Sequence, residues 1–286
     1  MLCKSLLAAG AALAVCGSAV AADLPRRAAP PPVFTPVPVF TWTGFYAGFN
    51  AGYAFSDNRA IRTIGNNGPG ALPLAPGDTN TVGNVLTNRR PGVFGVQQDG
   101  FTGGGQIGYN YQFTPGSGIV IGLEADAQYT DLDRSRGFLS TLNDPSTFRQ
   151  SLDFLGTVRG RLGYAFDRFL VYGTGGFAYG SVTYDAQFFG NAPARPLAYA
   201  GRYSEIETGY AYGGGIEYAM PTDSFLNFFK SSAVTVKVEY LRYDLGSRNV
   251  LVNFTGNAPV NGSYTSRFST EGNIVRAGLN YKFGSY

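Results

Sequence analysis

The residues best able to do chemistry in this chain are charged and recur at alternate positions: Glu124-x-Asp126, Arg159-x-Arg161, Glu205-x-Glu207 and Lys237-x-Glu239, with Glu217, Arg276 and Lys282 set singly. A spacing of two places both members of a pair on one face of a strand. Facing one another across a narrow space, such groups neutralise each other; hydrated, they line an ion path. Catalysis is the weaker reading. The chain has no histidine, which removes histidine-dependent acid–base chemistry and leaves tyrosine as a haem-ligand type. Carboxylates alone give no positive sign of a reaction, so neither an enzyme nor a cofactor is expected. "GGGQIG" (103–108) looks like a phosphate-cradling loop, but no helix pattern follows it.

Both cysteines, Cys3 and Cys16, lie in a leader-like start. Lys4 gives a basic region, Leu6 to Val15 an apolar core, and Val20-Ala21-Ala22 a small-residue cleavage site, so residues 1–22 read as a secretory signal peptide. Acylation of Cys16 is disfavoured because Val15 stands where processing needs a small residue. Cleavage leaves no thiol for disulfide, metal or nucleophile. The formal charge of +3 falls to +2 with loss of Lys4, which does not argue for a nucleic-acid partner. Residues 23–40 hold a run with six prolines between 24 and 38 and read as an extended periplasmic tether. The folded domain is expected at 41–286.

Eight segments from Thr41 onward alternate with period two: 41–55, 101–113, 119–130, 152–166, 169–184, 204–220, 234–245 and about 268–283. In the third, Ile119, Ile121, Leu123, Ala125, Ala127 and Tyr129 oppose Glu124, Asp126 and Gln128. In the fourth, Phe154, Val158, Leu162, Tyr164 and Phe166 oppose Asp153, Arg159 and Arg161. Segments of about ten residues, apolar outward and polar inward, are what a transmembrane β-barrel requires. The sheet must close, because hydrocarbon offers no partner to an open edge. An all-β, eight-stranded antiparallel up-and-down transmembrane barrel follows, in an outer membrane. Short connections (114–118, 167–168, 221–233) alternate with four long outer loops (56–97, 131–151, 185–203, 246–267), placing both termini in the periplasm. A soluble sandwich has no reason to put four long loops at one end.

An eight-stranded barrel is just wide enough for side chains to fill it. The inward set of Glu124, Asp126, Asp153, Glu205, Glu207, Glu217, Glu239, Arg159, Arg161, Lys237, Arg276 and Lys282 therefore reads as a salt-bridged plug, with an ion pathway as the alternative. Inward glycines such as Gly108 and Gly278 would make room for long neighbours. In the first outer loop Arg59, Arg62, Arg89 and Arg90 stand against Asp57 and Asp78, and the fourth adds Arg248 and Arg267. Arginines at the level of lipopolysaccharide phosphates bind them bidentately, although solvated loop charge explains them equally well.

"FTWTGFYAGFNAGYAF" (40–55), "VEYLRYDLG" (238–246) and "AGLNYKF" (277–283) resemble the small outer-membrane barrels of alphaproteobacteria, the outer membrane immunogenic or porin-like proteins of the OmpA/opacity superfamily. The resemblance implies an abundant surface protein tied to envelope integrity, and some such proteins are described as haem-binding or porin-like. It supplies no catalytic residues. The expected role is structural, with a narrow channel or a loop-borne receptor or adhesin as alternatives. Outer-membrane lipids, lipopolysaccharide and the barrel assembly machinery are the expected partners, and the oligomeric state is left open. Arg276-x-Gly278-x-x-Tyr281-x-Phe283 resembles the final-strand pattern that this machinery recognises.

Overall fold

The computed structural model describes residues 39–286 except 57–59, 72–78, 192, 222–223, 225–226, 228–232, 257–261 and 284–286. The expected signal peptide and nearly all of the proline-rich tether lie outside these residues. The elements are β1 (Gly44–Ser56), β2 (Ala60–Asn66), α1 (Thr81–Leu86), β3 (Val93–Gly95), β4 (Asp99–Gln112), β5 (Ser117–Leu139), β6 (Pro145–Phe166), β7 (Phe169–Phe189), β8 (Leu197–Met220), β9 (Ala233–Phe254) and β10 (Ser263–Phe283). Eight of the ten strands form an antiparallel ring in the order β1-β4-β5-β6-β7-β8-β9-β10. It closes where β10 pairs with β1, from Phe45 opposite Phe283 to Ser56 opposite Gly272. Closure satisfies every wall strand on both edges within the bilayer.

The lower wall carries a belt of exposed apolar side chains, among them Phe49, Ile107, Leu123, Leu162, Val171, Ile216 and Val238. No helix among the described residues is long and apolar enough to cross a membrane; strands make the belt. From Phe283 to Val275 on β10 the belt rises roughly 20 Å, at 3.3 Å per residue and a tilt near 40°. Aromatic pairs rim its lower edge, with Phe45 and Tyr109 at 4.7 Å, Tyr164 and Phe166 at 4.8 Å, and Phe169 and Tyr218 at 4.6 Å between ring centres. At the upper edge tyrosine hydroxyls donate outward to polar groups, Tyr210 to Asp244 at 3.1 Å and Tyr240 to Asn273 at 2.6 Å. Amphipathic rings suit such interfaces.

Above the belt the same strands continue with the opposite dress. Phe148, Leu152, Val182, Tyr184, Phe188, Val250, Val252, Tyr264 and Phe268 turn inward and are buried, while Thr183, Asp185 and Gln187 face out. Four of the register shifts fall on β5, β6, β8 and β10 near this changeover, at Tyr129/Leu132, Leu152/Phe154, Ala200/Tyr210 and Ser269/Glu271. A bulge changes which residues face inward. The four long outer connections stand where expected, but three of them are mostly folded as strand; what remains between strands is 140–144, 190–196 and 255–262.

The first connection fills a gap in the wall. β1 and β4 have 13 and 14 residues, whereas β5 to β10 have 21 to 24. Above the short strands, β2 pairs with β10 and β3 with β2. Phe94 of β3 meets Phe138 of β5 at 6.1 Å. Helix α1 docks through Asn84, whose amide donates to the Tyr264 hydroxyl at 2.7 Å.

Two arginines bolt this connection down, which corrects their expected role toward lipid phosphates. Arg89 pairs with the buried Asp144 carboxylate at 2.8 Å. Arg90 is buried over the Phe188 ring and donates to the carbonyls of Pro145 at 2.7 Å and Phe189 at 2.6 Å. Burial lowers the Arg90 pKa, and the neighbouring Tyr264 and Asp144 act the other way. Arg62 is exposed on β2, and Arg59 lies outside the described residues. Substituting Arg90→Ala leaves two partly buried carbonyls without their donor, at about 1 kcal/mol each. The expected result is faster proteolytic nicking between 66 and 93 and earlier thermal loss of the compact barrel band, with the ring still formed.

Candidate functional site

The charged residues singled out by spacing converge midway up the barrel because their strands bring them into register. Glu124 lies opposite Arg159, Glu217 opposite Lys237, and Glu239 opposite Arg276. Four carboxylates (Glu124, Asp126, Glu217, Glu239) meet four cations (Arg159, Arg161, Lys237, Arg276), so the cluster is neutral. Lys237 is 0% exposed and Arg276 1%.

Glu124 is the hub. Its carboxylate lies 2.6 Å from Arg159, 2.9 Å from Lys237, 3.6 Å from Arg276 and 3.8 Å from Arg161. Arg276 reaches across to Asp126 at 3.1 Å and to Glu239 at 2.6 Å. Arg161 donates to Glu217 at 2.5 Å, and Glu217 also accepts from Thr235 and, at 2.9 Å, from the Asn280 amide. Such pairs offset the cost of dehydrating each charge only when their remaining donors and acceptors are met as well.

Two tyrosines complete the cluster and were not anticipated. Tyr46 donates to Glu124 at 2.8 Å and accepts from Arg161 at 3.1 Å. Tyr172 donates to Glu239 at 3.0 Å, and the Arg161 guanidinium lies 3.7 Å from its ring centre, close enough for cation–π attraction. The phase of β1 could have revealed Tyr46, which shares its face with Gly48 and Asn50. Glycine supplies the room: a Cβ at Gly108 would stand 2.4 Å from the Tyr46 ring, and one at Gly278 would stand 3.1 Å from the Lys237 stem. On the β1 and β4 side, the Asn50, Gln106 and Asn280 amides fill the layer in a hydrogen-bonded row.

The remaining inward expectations resolve differently. Glu205 is exposed, and Glu207, though buried, pairs with Arg248 at 2.6 Å beside Tyr203, above the cluster. Both lie in the stretch where β8 loses its register with β9. Asp153 sits at the β6 bulge and is exposed. Lys282 is buried at the barrel base, its ammonium 5.8 Å from the Phe40 ring. Of the final-strand pattern, Arg276 and Gly278 face the lumen while Phe283 lies on the outer wall opposite Phe45.

Apolar layers stand below and above the charges. Below, Phe40 and Trp42 pack with Val120, Ala165, Leu170 and Ala219, and the Trp42 indole donates to the Asp167 carbonyl at 3.0 Å. Phe40 therefore belongs to the barrel base rather than to the tether. Above, Phe148, Phe188, Tyr264 and Tyr199 form a ring-to-ring column at 5.7, 4.9 and 5.0 Å. Chemically the arrangement neutralises its own charges. Concavities of about 750 and 450 Å³ lie on the outer, lipid-facing wall around Ala47, Ile107, Ala125 and Val158.

A family model described as the outer membrane protein beta-barrel domain matches residues 9–283. The chain is 34% identical over 282 residues to the 31 kDa outer-membrane immunogenic protein of Brucella melitensis, covering 98% of this chain and 100% of that protein. It is 27% identical over 192 residues to a 22 kDa outer membrane protein of Rhizobium leguminosarum bv. viciae, covering 67% and 72%. Among solved structures, the outer membrane protein OprG of Pseudomonas aeruginosa aligns with 16% identity and a TM-score of 0.40, over 85% of this chain and 97% of that one.

Replacing Glu124→Gln leaves four buried cations facing three carboxylates. The variant is expected to lose about 3–5 kcal/mol, the usual consequence of breaking a buried pair from one side, measured by urea unfolding in detergent micelles. Adding Lys237→Met restores neutrality, and the double variant is expected to lose at least about 1 kcal/mol less than the sum of the two single changes.

Proposed function

The chain belongs to the outer-membrane β-barrel protein family, and from that premise we propose that it is a non-catalytic structural barrel of the envelope with a closed lumen. The observation that carries this reading is the stack of apolar base, neutralised charges and aromatic column inside the ring. Absence of histidine from the sequence supports a non-enzymatic role. The barrel holds a place in the lipid, packs against lipopolysaccharide and displays its tall outer wall. Display at the surface agrees with the name of the Brucella relatives, outer-membrane immunogenic protein.

The topology supports periplasmic termini: both β1 and β10 meet at the aromatic edge where connections are short, through Phe45 and Phe283. Insertion would proceed through the barrel assembly machinery reading Arg276, Gly278, Tyr281 and Phe283. A narrow channel would need a path through the charged layer, whose carboxylates are already shared among the cations.

Refolded protein in planar bilayers tests this. The expected trace is silent over hours at applied voltage, with rare events unchanged in Thr157→Val. Reproducible unitary steps that shift in amplitude with Thr157→Val or Gly278→Val would replace the structural reading with a channel.

A further inference from the structure

We propose that Arg62 of β2 and Arg267 of β10 clamp an anionic group on the core saccharide of lipopolysaccharide. The inference rests on the lipopolysaccharide contact in the function proposed above and gives it an address. The two arginines are direct cross-strand partners, both exposed on the outer wall. Like charges directly opposite in an antiparallel pair repel. Among the described residues neither has an ion-pair partner, and Arg267 instead donates to the Ser247 hydroxyl at 2.7 and 3.1 Å.

The other side of the outer wall is built differently. There Arg149 meets Asp133 at 2.5 Å and Arg202 meets Asp185 at 3.8 Å. Around the unmatched pair, residues 247–253, 263–269 and 60–66 contain no acidic residue at all. Asn249 stands directly opposite Arg267 and Thr265 is the next outward residue on β10. Two guanidinium forks with neighbouring hydroxyl and amide groups suit a phosphorylated or carboxylated sugar.

Position selects the source. Arg267 lies eight residues beyond Val275, the last strongly exposed apolar residue of β10, hence roughly 20 Å above it for a strand rise of 3.3 Å and a tilt near 40°. That height passes the lipid A phosphates and reaches the core sugars. The pair also faces sideways from the wall, toward neighbours in the membrane plane rather than toward ligands arriving at the tip.

The test uses the full mature barrel in micelles, wild type against Arg62→Gln with Arg267→Gln, reading the thermal midpoint of the compact form during titration. The probes are core-bearing rough lipopolysaccharide, lipid A alone, inorganic phosphate and a heparin fragment. Wild type is expected to gain stability from core-bearing lipopolysaccharide, with apparent affinity at least ten-fold weaker in the double variant and unchanged in Arg149→Gln. Without ligand the double variant is expected to match or exceed wild type, since a repulsion is gone; each single variant serves if the double one folds poorly. Equal lipopolysaccharide response in wild type and double variant overturns the clamp while leaving the lipid contact standing. No response of wild type to any lipopolysaccharide overturns both. Equal protection by lipid A or by inorganic phosphate overturns the core-sugar assignment, and tighter binding of the heparin fragment reassigns the site to a soluble polyanion.

Discussion

One carboxylate, Glu124, has all four cations of the central cluster within ion-pair distance. Water that would otherwise solvate these groups is replaced by the groups themselves, and charges so held are tolerated only as a complete set. Many features of the molecule serve that set. The registers of β5 on β6, β8 on β9 and β9 on β10 set Glu124, Glu217 and Glu239 each opposite a base. Glycines on the inner face admit Tyr46 and the Lys237 stem. Apolar layers lie below and above the charges, and in a low-dielectric setting opposite charges attract more strongly.

The wall answers to two solvents in turn. In lipid the apolar face must point outward; in water the same strand must turn its apolar face inward to have a core. The exchange takes place over a few residues, and bulges on β5, β6, β8 and β10 accompany it. The upper half is thus an ordinary water-soluble β-structure grown on a membrane base. Because β1 and β4 stop at the lipid edge, the first connection must supply β2 and β3, and Arg89 and Arg90 hold it there.

This two-solvent design explains what was legible in the sequence. Apolar-out alternation identified the eight lipid-crossing segments and the inward phase of Glu124, Asp126, Arg159, Arg161, Lys237, Glu239 and Arg276. The same criterion stopped at Tyr184 on β7 and Leu245 on β9, because beyond them the apolar residues alternate on the opposite face and look like loop. Asp153 and Glu205 went astray because a register shift is silent in the pattern of side-chain types. Tyr46 and Tyr172 were missed because an aromatic in a membrane strand reads as lipid-facing; only their phase marks them as inward. Arg89 and Arg90 looked like loop charge because their partners, Asp144 and the carbonyls of Pro145 and Phe189, lie more than fifty residues away.

In a structural barrel with a closed lumen, water and ions do not enter the middle of the ring. A chain beginning at Asp23 has no cysteine, so a single introduced thiol reports without background. Thr157→Cys places it within the charged layer, where Thr157 donates to Asp126 and accepts from Arg159, and Ser135→Cys on the exposed part of β5 serves as the reference. Treated with a small charged thiosulfonate, the folded Thr157→Cys barrel is expected to stay unmodified while Ser135→Cys reacts fully, with both reacting after unfolding in urea. Modification of folded Thr157→Cys at a rate approaching that of Ser135→Cys would contradict the sealed lumen.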